Sequence, residues 1–154
     1  MTKPRYQDVP AALIPEVARA DGTRIRVVAG RVDGTDGPVT EIFADPTWID
    51  VSLPAGGAFE HVVTRGHTAL LYVFQGTLEA GASGPIPSPR LVVLDDGDIV
   101  RVRAHADAPA RFLLLSAQPL NEPFVRYGPF VMNTREEVAQ ALQELRDGTF
   151  IRKT

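Results

Sequence analysis

The amino-acid sequence predicts an all-β domain with one C-terminal α-helix, and three observations carry that reading. Between Pro54 and Gly81, two extended runs, Phe59–Thr64 and His67–Phe74, are divided by a turn at Arg65-Gly66, and Gly76 permits a tight reversal into Thr77–Ala80. A second unit repeats the plan: Leu91–Leu94, the turn Asp95-Asp96-Gly97-Asp98, Ile99–Arg103, and a returning run Phe112–Ser116. Only one segment has a helical period, with Val138, Ala141, Leu142 and Leu145 at i, i+3, i+4 and i+7.

Each element follows from local chemistry. Residues 1–20 read as an extended N-terminal arm, because Pro4, Pro10 and Pro15 oppose a helix. Tyr6, Val9, Leu13 and Ile14 give that arm apolar groups to lay against something. Residues 21–154 read as a single domain. Asp21-Gly22 is a turn, and Thr23–Ala29 alternates as a half-buried strand. Gly30–Pro38 reads as a loop, and Thr40–Phe43 as a short strand that Asp45-Pro46 breaks. In Trp48–Leu53 the residues Ile49, Val51 and Leu53 share one face, and Trp48 is expected in the core. His67–Phe74 is apolar enough for a strand buried on both sides. Gly81–Pro89 reads as a loop, and Pro119–Pro123 and Tyr127–Asn133 as ordered coil. Thr134 with Glu137 forms a capping box, the helix lays its stripe on the barrel, and Gly148 stops it.

Composition narrows the function. A chain of 154 residues buries roughly 70% of its unfolded surface and needs no staples. It has no cysteine, which excludes disulfides, thiolate metal sites and cysteine nucleophiles. The net charge of -3 and pI near 5.6 argue against general nucleic-acid affinity. No apolar run approaches membrane-spanning length and the N-terminus has no apolar signal core, so a cytoplasmic protein is expected. Arg101 and Arg103 alternate along one strand as a solvated outer face, with an anion site as the alternative. No P-loop, dinucleotide fingerprint or Gly-x-Ser-x-Gly is present.

Tyr72-Val73-x-x-Gly76, followed by Gly97-Asp98-x-Val100-x-Val102, resembles the two half-motifs of cupins. The resemblance implies a cupin-type double-stranded β-helix, a jelly-roll barrel. Pro119-Leu-Asn-Glu-Pro123 and Gly128-Pro-Phe-Val-Met-Asn-Thr134 are similar to the C-terminal signature of the pirin family. Arg5–Pro10, Arg26–Gly30, Gly66–Ala69 with Tyr72-Val73, and Gly148–Phe150 fit the same template. That family is a two-cupin fold described as quercetin-cleaving dioxygenases or as regulators acting through protein partners. Its iron site of three histidines and one glutamate lies in the N-terminal cupin, and this chain resembles the C-terminal one.

Anchored on Gly76, the resemblance puts the first motif's ligand positions at Val62, Thr64 and Thr68, or one residue on at Val63, Arg65 and Ala69. The second motif's histidine falls at Ala110 or Arg111. No imidazole or carboxylate occupies these positions, so no metal cofactor is expected. His61 and His67 are the weak alternative, a rebuilt site for iron or another divalent metal; His105 sits in a loop with Asp107. If strand parity holds, the lumen is lined by Val62, Thr64, Thr68, Leu70, Tyr72, Ala110, Phe112 and Leu114, with Thr64, Thr68, Tyr72 and Phe112 as candidate ligand-binding residues. The expectation is a non-catalytic module for interaction, dimerisation or small-ligand binding. It would be partnered as a homodimer or with a second cupin subunit, and not with nucleic acid or membrane. The alternative is a metal-dependent, quercetinase-type dioxygenase with the rebuilt histidine site.

Overall fold

Period-two alternation builds the architecture. The computed structural model describes residues 5–81 and 84–151. The chain divides into two compact units, one reaching Pro119 and the other beginning at Leu120.

The first unit contains, after a 3-10 turn at Ala11–Leu13, twelve strands: β1 (Glu16–Ala18), β2 (Arg24–Ala29), β3 (Arg31–Val32), β4 (Thr35–Asp36), β5 (Thr47–Leu53), β6 (Ala58–Val62), β7 (Thr68–Gln75), β8 (Thr77–Glu79), β9 (Pro85–Pro87), β10 (Arg90–Val93), β11 (Ile99–Ala104) and β12 (Ala110–Ala117). They form a six-stranded sheet in the order β1-β2-β5-β12-β7-β10 and a four-stranded sheet in the order β6-β11-β8-β9. β3 and β4 make a separate ribbon. The crossovers between the sheets match the double-stranded β-helix that the cupin resemblance implies.

The core lies between the sheets. From the larger sheet it takes Ile25, Val27, Ile49, Val51, Leu71, Val73, Phe112 and Leu114, and from the smaller Phe59, Leu78, Val100 and Val102. Phe59 meets Phe112 edge-on across the gap, with ring centroids 5.6 Å apart. Burying an aromatic side chain such as Phe112 contributes about 1.5–3 kcal/mol, before this edge contact is added. Gly76, between β7 and β8, has φ +75°, and a Cβ there would overlap the Pro109 carbonyl oxygen. The reversal therefore needs glycine on two counts.

Several local expectations are corrected. Thr40–Phe43 is not a strand; Val39 makes the single bridge to Ala29, and Phe43 stands out in solvent. The Gly30–Pro38 loop contains the β3–β4 hairpin, turned by Asp33-Gly34, both at positive φ as a two-residue hairpin turn requires. Within Gly81–Pro89, Pro85–Pro87 adds to β8 as an edge strand, where proline's missing N–H is tolerated. Trp48 is not core: Ile49, Val51 and Leu53 take the inner face of β5 and leave Trp48 outside, 43% exposed. β7 is buried fully on its inner face only.

The second unit comprises the hairpin β13 (Val125–Tyr127) and β14 (Phe130–Met132), in place of the expected coil, and helix α1 (Arg135–Arg146). Asn133 Nδ2 donates to Glu122 Oε2 and to the Pro123 carbonyl, both at 2.9 Å, and ties the hairpin to the approaching chain. The capping box is complete: Glu137 N–H donates to Thr134 Oγ1 at 3.1 Å, and Thr134 N–H to Glu137 Oε2 at 2.9 Å. α1 packs on the hairpin and buries Val138 and Ala141, while Leu145 stays exposed. Phe130 meets Phe150 edge-on at 5.7 Å, after Gly148 has reversed the chain at φ +68°. Among the described residues, no helix is long and apolar enough to cross a membrane. Replacing Thr134 with alanine removes the cap acceptor and is expected to cost about 1 kcal/mol, read from the shift of the helix transition by circular dichroism in urea.

Candidate functional site

The inner positions at one end of the first unit are the natural place to look for chemistry. On β6 and the turn that follows, Phe59 and Val63 are buried and His61 is half-buried, whereas Val62 and Thr64 are exposed. On β7, Ala69, Leu71 and Val73 are buried, and Thr68 and Tyr72 are exposed. On β12, Ala110, Phe112 and Leu114 face inward. The predicted lumen is therefore correct on β12 and one residue out of step on β6 and β7. Of the four candidate ligand residues, Phe112 lies inside as a fully buried core residue; Thr64, Thr68 and Tyr72 lie outside.

The reason is visible in the register. Leu70 to Phe74 is apolar at every position, so composition cannot say which parity is inner. Pairing decides it: Val73 stands opposite Phe112, and Leu71 opposite Leu114. Residues directly across a ladder share a face, so the inward phenylalanine pulls the odd residues of β7 inside.

A cavity of about 390 Å³ opens at this end of the barrel. Val63, Ala69, Leu71, Ile86, Val100 and Val102 form its walls, and His67, Asp95, Asp96 and Arg101 stand at its edge. Val63 and Ala69 were named by the sequence reading only as shifted ligand positions, and none of these residues as a cavity wall; the small Ala69 within a run of large apolar residues was the available signal. Arg101 is held by Glu60 across the β6–β11 ladder at 2.6 Å, which raises its pKa further. Nδ1 of His67 is shielded from solvent and has no hydrogen-bond partner among the described residues.

His61 has different surroundings. Its ring stacks beside Phe59, with centroids 6.2 Å apart and planes 14° from parallel. The Arg19 guanidinium lies over the Phe59 ring at 5.4 Å and pairs with Asp33 at 2.7 Å. Burial, reinforced by the Arg19 charge, pushes the His61 pKa below its usual value, while Asp33 opposes the shift. The Asp33 carboxyl is itself held low, chiefly by its hydrogen bond from Arg19. His67 borders the cavity and His61 does not. His105 lies on the surface, its Nδ1 accepting from Asp107 N–H at 3.4 Å.

A three-histidine, one-carboxylate metal centre does not fit these residues. The expected ligand positions that face inward hold Val63, Ala69 and Ala110, and the imidazoles nearby are His61, which does not border the cavity, and His67 at its edge. Valine and alanine have no lone pair to offer a cation. Among the described residues, no three His, Asp or Glu side chains converge as a metal-binding group.

The opposite, outer face of the six-stranded sheet carries an apolar band. One cross-strand row runs Val93–Leu70–Leu115–Trp48, and the next begins Leu91–Tyr72–Leu113 before meeting Asp50. Leu91 is 58% and Val93 66% exposed. Beside the band, Asp50 accepts from Arg111 at 2.7 Å, and the Arg111 guanidinium covers Phe74 at 5.0 Å.

Residues 48–151 match the family model described as the Pirin C-terminal cupin domain. A Pseudomonas aeruginosa protein provisionally named quercetin 2,3-dioxygenase is 40% identical over 151 residues, which cover 93% of this chain and 52% of that protein. A pirin-like protein of Caulobacter vibrioides is 39% identical, over 97% of this chain and 54% of its own length. The crystal structure of quercetin 2,3-dioxygenase from Acinetobacter baumannii superimposes with a TM-score of 0.85 at 32% identity, covering 95% of this chain and 50% of that one. The chain thus spans about half the length of the curated relatives it matches.

The lowered His61 pKa makes stability depend on pH. Below its usual value of 6.5, the unfolded chain takes up the proton more readily than the folded one, so stability falls as pH drops through this window. His61→Gln is expected to flatten that loss, measured as the difference between urea midpoints at about pH 7.5 and about pH 5.5.

Proposed function

Because the chain belongs to the pirin family, through its C-terminal cupin domain, we propose that it is a non-catalytic cytoplasmic barrel that works by pairing with a second cupin barrel. The partner is another copy of the chain or a separate cupin subunit. The donor set carries this reading: the inward positions that would have to coordinate a cation hold Val63, Ala69 and Ala110, which have no lone pair to offer. Pairing is supported by the outer apolar band of Trp48, Leu70, Tyr72, Leu91, Val93, Leu113 and Leu115. A continuous apolar area of several hundred Å² on a sheet face favours a partner over water. It is also supported by relatives about twice as long, whose chains extend well beyond the region matched here.

Light scattering at about 100 μM tests the self-paired form, since a stable interface of standard size buries on the order of 800 Å² per partner. A dimer is expected, and Leu91→Glu with Val93→Glu is expected to weaken it at least about tenfold by placing charge in the contact. Both residues are largely exposed, so the fold is spared. A monodisperse wild-type monomer overturns self-pairing.

The second reading is a metal-dependent dioxygenase with His61 and His67 as ligands, favoured by the names of the Pseudomonas and Acinetobacter relatives. Metal analysis of protein without a histidine tag and oxygen uptake with quercetin and added Fe(II) separate the two. No uptake and no bound metal are expected; stoichiometric iron with quercetin-dependent uptake would establish the dioxygenase instead.

A further inference from the structure

The space between the two sheets is filled unevenly. Val27, Val73, Phe112 and Leu114 are 0% exposed, but Val63, Ala69, Val100 and Val102 retain 4–6%. Those four all stand on the walls of the 390 Å³ cavity, so one end of the barrel is closed by packed side chains and the other holds open space. We propose that this cavity is a binding site for a small uncharged ligand with a single-ring aromatic or branched aliphatic body.

Three features select that class. The volume lies at the small end of ligand pockets, which run from about 300 to 1,000 Å³. The walls offer aliphatic carbon, and space lined in that way favours an apolar occupant over water. The edge discriminates by charge. Asp95 and Asp96 are exposed and make no ion pair among the described residues, while the nearby Arg101 is already held by Glu60. A carboxylate entering here would meet two negative charges without a free cation. Ala69 sets the depth: its methyl occupies a buried position of β7 where its inward neighbours are Leu71 and Val73. The inference rests on the non-catalytic reading in one respect, that no cation fills the space.

Benzyl alcohol and benzoate test it, being alike in shape and opposite in the feature that matters. Methyl NMR of the full chain, on a sample first analysed for metal, follows each titration. Saturable shifts with benzyl alcohol are expected at Val63, Ala69, Leu71, Ile86, Val100 and Val102. Benzoate is expected to bind at least about tenfold more weakly at low ionic strength. Ala69→Leu is expected to fill the space and weaken benzyl alcohol at least about tenfold while keeping methyl dispersion; Val92→Phe, on the same wall, serves where Ala69→Leu does not fold. Metal-free protein that shows no saturable shift overturns the site, as does unchanged binding by a folded filling variant. Equal binding of benzoate overturns the ligand class. Bound metal in the starting sample counts against the non-catalytic reading instead.

Discussion

Strand β12 is the constraint on which the first unit depends. It lies between β5 and β7 and pairs with both along nearly its whole length. Because side chains alternate, its burial pattern propagates: Phe112 inward places Val51 inward on one neighbour and Val73 inward on the other. Arg111, one residue earlier, is then obliged to face outward, where it meets Asp50 and Phe74. A slip of one residue would exchange these roles, burying a guanidinium and exposing a phenylalanine. The register is thus held by the size of that penalty, and with it the identity of every inward group at the candidate site.

The electrostatics of the barrel ends follow from the same alternation. Near β6, His61 is turned inward beside Phe59 and loses proton affinity to burial and to Arg19. Outward on β6, Glu60 meets Arg101 directly across the ladder at 2.6 Å, with both groups largely in solvent. An exposed pair of this kind contributes little stability, because water screens it. Its consequence is local: Arg101 is occupied, and the acidic turn at Asp95-Asp96 keeps its charge near the cavity edge.

The sequence made the fold legible where chemistry at one position is decisive. Gly76, the Thr134–Glu137 box and the inward faces of β2 and β5 were readable, because a reversal, a cap or alternation leaves one answer; β12 is apolar from Phe112 to Leu115, and there Arg111 marks the outer side. The site was less legible. Leu70–Phe74 is apolar on both faces, so Tyr72 and Thr68 read as inner until pairing with β12 places them outside. Trp48 read as core because large aromatics usually are, and the preference of Ile49, Val51 and Leu53 for the interior overrode it. The β3–β4 hairpin had its signal in Asp33-Gly34, but strands of two residues carry no period to detect. The run Gly128–Thr134, the most distinctive in the chain, is a structural signature: a tight turn, a hairpin strand, the Asn133 tether to Glu122 and Pro123, and a helix cap. It carries the family resemblance and takes no part in the cavity's chemistry.

The two faces of the six-stranded sheet put different demands on the same strands. Inside, β7 presents Ala69 where a larger side chain would fill the barrel, and the resulting space costs packing contacts that a closed core would have. Outside, the same strand presents Leu70 and Tyr72 to a band that includes Leu91 and Val93, which costs exposed apolar surface. Neither departure stabilises an isolated barrel. Strain-free polar residues on the outside, and one larger aliphatic at Ala69 on the inside, would serve a purely structural domain better. That both departures fall on one strand and its partner β10 connects the proposed pairing surface to the cavity wall by a single backbone. Leu91 and Val93 are exposed on β10 and Val92 between them is half-buried, and both Val92 and Val93 border the cavity. Alternation along three consecutive residues therefore brings an occupant of the cavity and a partner on the sheet within one strand's thickness of each other.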